Sequence, residues 1–271
     1  MQSHYLTFAK KTAQEAGKIL LSYFGNLTKE QIHFKGRRDL VTQADVEAEA
    51  YICQQIVQNF PNHSILGEEK TKKDGSEDVL WLIDPLDGTT NFTHGHPYFS
   101  VSIAMEYKKQ LQLGVVYAPY FQEFYFAERN FGSWLEKDNQ KTKLHVSVTS
   151  TLEDSLLATG FYYNRNDTSC NNLDNFAHIL LQTQGIRRCG SAALELCYVA
   201  SGKYDGFWEL WLQPFDVAAG VVLVEEAGGK VTDCGGNSDY LYGHSIIASN
   251  SHIHQAIQNN ILSYPKLKTI Q

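Results

Sequence analysis

Asp84 and Asp87 stand three positions apart in Trp81-Leu82-Ile83-Asp84-Pro85-Leu86-Asp87-Gly88-Thr89-Thr90-Asn91, directly behind an apolar run that begins at Val79. A strand that ends in an acid is how layered α/β proteins deliver ligand groups to the edge of a sheet. Pro85 fixes its own φ and keeps Asp84 out of helical geometry, so the strand is expected to end at Asp84. The chain must then turn, bringing both carboxylates to one side. Gly88 lets the backbone approach a ligand closely, and Thr89-Thr90 can open a helix whose unpaired N–H groups face an anion. Two carboxylates ~4 Å apart repel by about 4 kcal/mol at an effective dielectric of about 20. A divalent cation between them removes that cost, and an all-oxygen donor set suits Mg²⁺. The plainer reading of the same residues is a turn at Asp84-Pro85 with Asp87 as a helix cap.

Spacing rules out two other uses of paired acids. An EF-hand calcium loop needs acids at alternate positions, and aspartyl-phosphate phosphatases separate their two aspartates by one residue. Here Pro85 and Leu86 both intervene. Further acids stand in similar settings. Gly67-Glu68-Glu69 follows the apolar pair Ile65-Leu66, and Asp216 in Gln213-Pro214-Phe215-Asp216-Val217-Ala218-Ala219-Gly220 opens a helix of small residues. Taken singly, these read equally well as a surface acid and an N-cap. His94 and His96 read as loop packing, because the neighbouring donors are hard oxygens rather than soft ligands.

The net charge of −7 argues against general nucleic-acid binding, which depends on Lys and Arg to neutralise phosphates. It would also repel a phosphate ester unless bound cations reverse the local field. With 43% hydrophobic residues, the chain can bury a large core as one domain or two packed halves. No run approaches the ~20 apolar residues of a membrane span, and Met1-Gln2-Ser3-His4 leads into no signal-peptide core, so the expected location is cytoplasmic. The cysteines, at 53, 170, 189, 197 and 234, form no C-x-x-C pair and read as idle thiols.

These residues need elements to hold them. Apolar spacing gives a helix over 6–24, and Thr42-Gln43-Ala44-Asp45 forms a capping box opening a second helix that Pro61 terminates. Strands are expected at 79–83, 99–105, 113–117, 123–127 and 144–148, an antiparallel sheet filling the N-terminal half, about 1–148. From 149 onward the pattern alternates. Strands at 156–159, 186–189, 204–210, 230–232 and 245–249 are interleaved with helices at 173–181, 192–200, 217–227 and 252–261, an α/β half. No linker separates the halves, so residues 1–271 read as one catalytic domain, with 69–77 a mobile surface loop.

In order and spacing, Gly-Glu-Glu, Trp-Leu-Ile-Asp-Pro-Leu-Asp-Gly-Thr-Thr-Asn-Phe and Phe-Asp-Val-Ala-Ala-Gly resemble the inositol monophosphatase family. The resemblance covers nearly the whole chain. Asp39-Leu40-Val41-Thr42-Gln43-Ala44-Asp45, residues 185–193 and Glu225-Glu226-Ala227-Gly228-Gly229 match further family segments. Two departures are Pro214-Phe215, where Trp often precedes the aspartate, and His96, where an aromatic is usual.

The resemblance implies a layered αβαβα sugar-phosphatase fold and Mg²⁺-dependent hydrolysis of a phosphate monoester, with two or three ions in each site. The implied substrate is foremost myo-inositol monophosphate, attacked directly by a metal-activated water. Implied metal ligands are Glu68, Asp84, the Leu86 carbonyl, Asp87 and Asp216. Glu68, Thr89 and Asp45 carry the catalytic role, the last two as a hydrogen-bonded pair beside the water. Substrate contacts are Glu68, Leu86, Asp87, Gly88, Thr89, Gly190, Ser191, Ala192, Glu209 and Asp216, with Arg187 added from bacterial relatives. A small phosphorylated polyol or sugar as partner, a homodimer and lithium sensitivity are also implied.

Asp45 doubles as the acid of the Thr42 capping box, and both roles hold only if its carboxylate reaches the pocket. Glu209 favours a polyol, since a carboxylate accepts hydrogen bonds from hydroxyls. Fructose-bisphosphate, histidinol-phosphate and 3′-phosphonucleotide phosphatases stay open as alternatives, the last because Phe207, Trp208 and Trp211 could shelve a base. So does a regulatory binding protein that keeps the fold. The aromatic stretch from Tyr117 to Phe126 reads as a dimer contact or as core.

Overall fold

The computed structural model describes residues 3–265 except 37, 70 and 167. Helix α1 (His4–Tyr23) starts at Ser3, whose hydroxyl accepts the Leu6 N–H at 3.1 Å, and buries Leu6, Ala9, Ala13, Ala16 and Leu20 along one stripe. A hairpin of β1 (Ile32–Gly36) and β2 (Asp39–Thr42) leads into α2 (Gln43–Asn59), which opens on the expected Thr42–Asp45 capping box.

Next come β3 (Ser64–Gly67), the short β4 (Lys72–Lys73), β5 (Val79–Asp87) and the single-turn α3 (Thr89–Thr93). A meander of β6 (Ser100–Tyr107), β7 (Gln110–Ala118), β8 (Glu123–Glu128), β9 (Gly132–Lys137) and β10 (Gln140–Lys143) completes the first half. These strands form one eight-stranded sheet in the order β10-β9-β8-β7-β6-β5-β3-β4, antiparallel except where β3 runs parallel to β5.

The second half begins with β11 (Leu156–Thr159), α4 (Leu173–Leu180), β12 (Gly185–Arg187), α5 (Ala192–Ala200) and β13 (Gly206–Leu210). It ends with α6 (Pro214–Glu226), β14 (Lys230–Thr232), β15 (Ser245–Ser249) and α7 (His254–Asn259). Its five-stranded sheet runs β12-β11-β13-β15-β14, with β11 parallel to both neighbours and the other pairs antiparallel.

The helices sort into layers by where their apolar residues lie. α5 and α6 are apolar almost all round and buried between the two sheets, as such helices must be. α1 and α2 cover the outer face of the large sheet, while Ile179 of α4 and Ile257 of α7 close the outer face of the small one. The result is the αβαβα stack. Strand β5 is buried on both faces: Trp81 and Ile83 join the α1–α2 core, and Leu82 joins the α5–α6 core.

Three local expectations are corrected. Residues 144–148 are not a strand: the Leu144 N–H donates to Ser133 and the Val146 N–H to Ala227, so neighbouring residues bond to different elements while their apolar alternation imitates a strand. The pairing there is made instead by β9 and β10. The segment 69–77 is not wholly loop, since Lys72–Lys73 pairs with β3; Lys70 lies outside the described residues. Nor does β5 stop at Asp84; it runs on to Asp87.

Candidate active site

In a regular strand, residues three apart point to opposite faces. Asp84 pairs with Ser102 and Asp87 with Ser100, so β5 spends three steps where β6 spends two. The extra residue is a β-bulge, and it re-aims the side chains that follow. Leu82 faces the α5–α6 core, but Leu86 is packed with the α1–α2 core, which leaves Asp87 beside Asp84 on the wall of one cavity. Pro85 has no N–H to lose from the ladder at this irregular point. Gly88 ends the strand at φ 98°, and an added Cβ would lie 2.9 Å from the Tyr98 carbonyl oxygen and 3.3 Å from that of Gly190. The Asn91 amide staples this turn to its neighbour, donating to the carbonyls of Tyr98 at 2.7 Å and Cys189 at 2.8 Å.

The cavity, about 300 Å³, collects acids from five segments: Asp39 of β2, Glu68 after β3, Asp84 and Asp87 of β5, Glu209 of β13 and Asp216 of α6. Glu68 leaves the end of β3, in a turn held by Glu49 of α2, which accepts the N–H groups of Glu69 at 2.8 Å and Thr71 at 3.0 Å. Asp216 is the third residue of α6 and accepts the Gln213 N–H at 2.6 Å. Asp87 Oδ2 accepts the Ser191 hydroxyl at 2.6 Å and the Ala193 N–H at 2.7 Å, at the start of α5. Asp84 Oδ1 accepts the Leu86 N–H at 3.0 Å. Each of these three aspartates thus anchors one oxygen on a protein N–H or hydroxyl, and the Asp84 carboxyl also lies within hydrogen-bond reach of Glu68.

Electrostatics mark the same cluster. Burial, then the charges of Glu68, Asp87 and Asp216, push the Asp84 carboxyl well above the usual range. Asp216 is raised by burial and then by Glu68, against the Gln213 N–H. Asp87 rises to about 6, again chiefly by burial, with the Ser191 and Ala193 bonds opposing. Acids that cannot all ionise together either keep protons or take up a compensating cation.

One cation comes from the chain: Lys35 Nζ of β1 lies 3.0 Å from Glu68 and 2.7 Å from Glu69. The carboxylates do not close on a single point, and no group of three or more His, Cys, Asp or Glu among the described residues is drawn together as an ion cage. What fits a hard divalent ion is the donor chemistry: the carboxylates of Glu68, Asp84, Asp87 and Asp216 line one cavity, with no sulfur or imidazole among the lining side chains.

Next to the acids, Thr89 Oγ1 lies 3.1 Å from both Asp45 Oδ1 and the Leu86 carbonyl oxygen. Asp45 is fully buried, which raises it to about 6. Glu209 of β13 lines the same cavity; it is 8% exposed, and its carboxylate makes no hydrogen bond among the described residues. Burial and then Glu195 hold it well above the usual range. Gly160 makes room for it: a Cβ there would lie 2.2 Å from the Glu209 oxygens.

Of the residues expected from sequence, Glu68, Asp84, Leu86, Asp87, Gly88, Thr89, Gly190, Ser191, Ala192, Glu209 and Asp216 all line this cavity. Asp45 joins it through Thr89. Arg187 does not line it; its side chain is exposed, and the neighbouring Arg188 is the one on the wall. His94 and His96 are exposed after α3, away from the cavity. Lys35, Tyr163 and Arg188 also line it, although a lone surface cation or tyrosine carries no local pattern in the sequence, and so does Asp39, which opens the Asp39–Asp45 segment.

The model of the inositol monophosphatase family matches residues 1–265. The Nus factor SuhB of Pseudomonas aeruginosa is 42% identical, over 97% of this chain and 98% of its own length. The inositol-1-monophosphatase of a Synechocystis species is 41% identical, over 97% and 90%. Among solved structures, the extragenic suppressor protein SuhB of Bartonella henselae superposes with a TM-score of 0.89 at 37% identity, covering 96% of this chain and 99% of that one. The fold, the order of the acid-bearing segments and these likenesses agree: the chain belongs to the inositol monophosphatase family and is a phosphoric monoester hydrolase.

Proposed function

We propose that the protein hydrolyses the phosphate ester of a small polyol, myo-inositol monophosphate foremost, with two or three Mg²⁺ held by Glu68, Asp84, the Leu86 carbonyl, Asp87 and Asp216. The observation that carries this reading is one cavity lined both by the clustered acids and by an unpaired buried carboxylate, Glu209. Bound Mg²⁺ would supply charge for the phosphoryl and leaving oxygens and a lower pKa for an attacking water.

The chain's own groups do the rest. Asp45 and Thr89 orient that water and take up its proton, and a carboxyl near 6 suits a base working close to neutral pH. The N–H groups of Gly88 and Thr89 hold the phosphate, while Glu209, with Gly190, Ser191 and Ala192 beside it, receives the alcohol. Attack is direct, with no side-chain nucleophile. A homodimer, a cytoplasmic location and inhibition by lithium belong to the same reading. Among the described residues no helix is long and apolar enough to cross a membrane.

Fructose bisphosphate, histidinol phosphate and 3′-phosphonucleotides are the competing esters on this scaffold. A panel of these with myo-inositol 1-phosphate, assayed for phosphate release in Mg²⁺ and in chelator, tests the reading. The highest kcat/KM should fall on the inositol ester and vanish in chelator; a nucleotide or histidinol preference would overturn the substrate assignment. The name of the Pseudomonas relative, Nus factor SuhB, supports a second reading, a regulatory binding role on the same fold. Such a role would survive loss of catalysis.

A further inference from the structure

Cys189 lies between β12 and α5 and belongs to neither, so its peptide groups turn to side chains for partners. Its N–H donates to Glu195 Oε1 at 2.8 Å, and its carbonyl accepts the Asn91 amide at 2.8 Å. The Gly190 N–H also acts on Glu195, and the Gly190 carbonyl lies 3.5 Å from the same Asn91 amide. The turn is thus clamped twice, its donors by one side chain and its acceptors by another. Gly190 takes φ 88°, a left-handed conformation that glycine adopts without strain. Just past it, the chain delivers the Ser191 hydroxyl and the Ala193 N–H to Asp87 Oδ2. Glu195 itself does not line the catalytic cavity. It is buried, where an apolar residue of similar volume would serve packing as well or better. What an apolar residue could not supply is an acceptor for the turn. Arg188, just before the turn, favours the charged form of this carboxyl.

We propose that Glu195 is a positioning residue: it holds the Cys189–Gly190 turn from one side, as Asn91 does from the other, and so fixes the Ser191 and Ala193 donors against Asp87. The inference rests on the phosphatase reading above, in which Asp87 is a metal ligand and Gly190, Ser191 and Ala192 face the alcohol. Groups that orient a ligand without touching the ion are typically worth about 10–100-fold in metal affinity or activity.

The test compares wild type with Glu195→Gln, which keeps an acceptor oxygen, and with Glu195→Leu and Glu195→Met, which fill similar space without one. Mg²⁺ affinity is read by calorimetric titration and kcat on myo-inositol 1-phosphate. Amide exchange of residues 188–193 and melting temperature are read in chelator. Whichever apolar variant folds should bind Mg²⁺ about tenfold more weakly, lose about tenfold in kcat, and exchange faster in that segment. Glu195→Gln should stay within about threefold of wild type in affinity and kcat. In a Ser191→Ala background, the same apolar change should cost less than about threefold more, because both act on one bond to Asp87.

A purely structural role would lower the melting temperature and leave Mg²⁺ affinity and kcat at wild-type values, which would overturn the proposal. Equal losses in the Gln and apolar variants, or full additivity with Ser191→Ala, would overturn it too. A wild type that hydrolyses neither this ester nor 4-nitrophenyl phosphate defeats the phosphatase reading alone. Mg²⁺ affinity and amide exchange then decide the role of Glu195 by the same outcomes.

Discussion

Thr89 and Asp45 are joined by a 3.1 Å hydrogen bond through Asp45 Oδ1, while Oδ2 of the same carboxylate accepts the Thr42 N–H at 2.9 Å and the Thr42 hydroxyl at 2.5 Å. One side chain therefore caps α2 and reaches the cavity, each oxygen serving one task. The Thr89 hydroxyl has a single proton and two acceptors in range, Asp45 and the Leu86 carbonyl. When its proton goes to Asp45, its lone pairs can receive a proton from water.

Removing that hydroxyl should be felt in the chemical step. Thr89→Ala is expected to lower kcat by ~10²–10⁴, the usual worth of positioned general-base help, with the Mg²⁺ concentration for half-maximal rate unchanged. Thr89→Ser should recover most of the rate. A change in KM alone would mean that Thr89 positions substrate and stands outside the water relay.

Substrate choice should respond to Glu209 and to the glycine that accommodates it. Glu209→Gln should cut kcat/KM for myo-inositol 1-phosphate much more than for 4-nitrophenyl phosphate. Gly160→Ala should do the same while Glu209 itself is retained, because the added Cβ, 2.2 Å from the carboxylate oxygens, displaces that movable end. Stability should change little in that variant. Equal losses on both esters would assign Glu209 to structure rather than to the alcohol.

Glu195 gives the fold a pH dependence. It is 1% exposed, and burial is the main cause raising it from 4.5 to about 8, although it accepts the Cys189 N–H at 2.8 Å. Below pH 4.5 the group is protonated folded or unfolded. Between 4.5 and 8 the folded state keeps a proton that the unfolded chain releases, so stability falls as pH rises through that window. Glu195→Gln stays neutral and keeps an acceptor oxygen. Relative to wild type it should gain stability at pH 8 over pH 5, by on the order of a few kcal/mol. Urea melts at the two pH values in chelator measure this, and an identical offset at both would show that Glu195 ionises freely in the fold.

Local signals in the sequence carried far. The Thr42–Asp45 box, the α1 stripe and the small residues of α6 each depend on neighbours a few positions away, and the structure places them as expected. The types of the acids were equally plain, but their convergence was not. It depends on a bulge whose existence is a matter of register against Ser100 and Ser102, and register belongs to the partner strand. Residues 144–148 misled for a related reason, since alternation records burial on one side and not which element takes the N–H groups. Lys35 and Arg188 could not be picked out at all. Each gains its meaning from residues far along the chain: Glu68 and Glu69 for Lys35, and Glu195 and Glu209 for Arg188.

The central claim is that the acid cluster works by holding divalent ions, and Asp84 tests it most directly because burial, and then Glu68, Asp87 and Asp216 together, raise its carboxyl. The measurement is phosphate release from myo-inositol 1-phosphate across a Mg²⁺ titration, in wild type and Asp84→Asn, with melting temperatures taken at each Mg²⁺ concentration. Wild type should be inactive in chelator and gain both rate and melting temperature with Mg²⁺. Asp84→Asn should melt no lower than wild type in chelator, gain little from Mg²⁺, and turn over ~10²–10³-fold more slowly. Wild-type turnover that ignores Mg²⁺, or an Asp84→Asn protein that matches wild type at saturating Mg²⁺, would contradict the metal-dependent site.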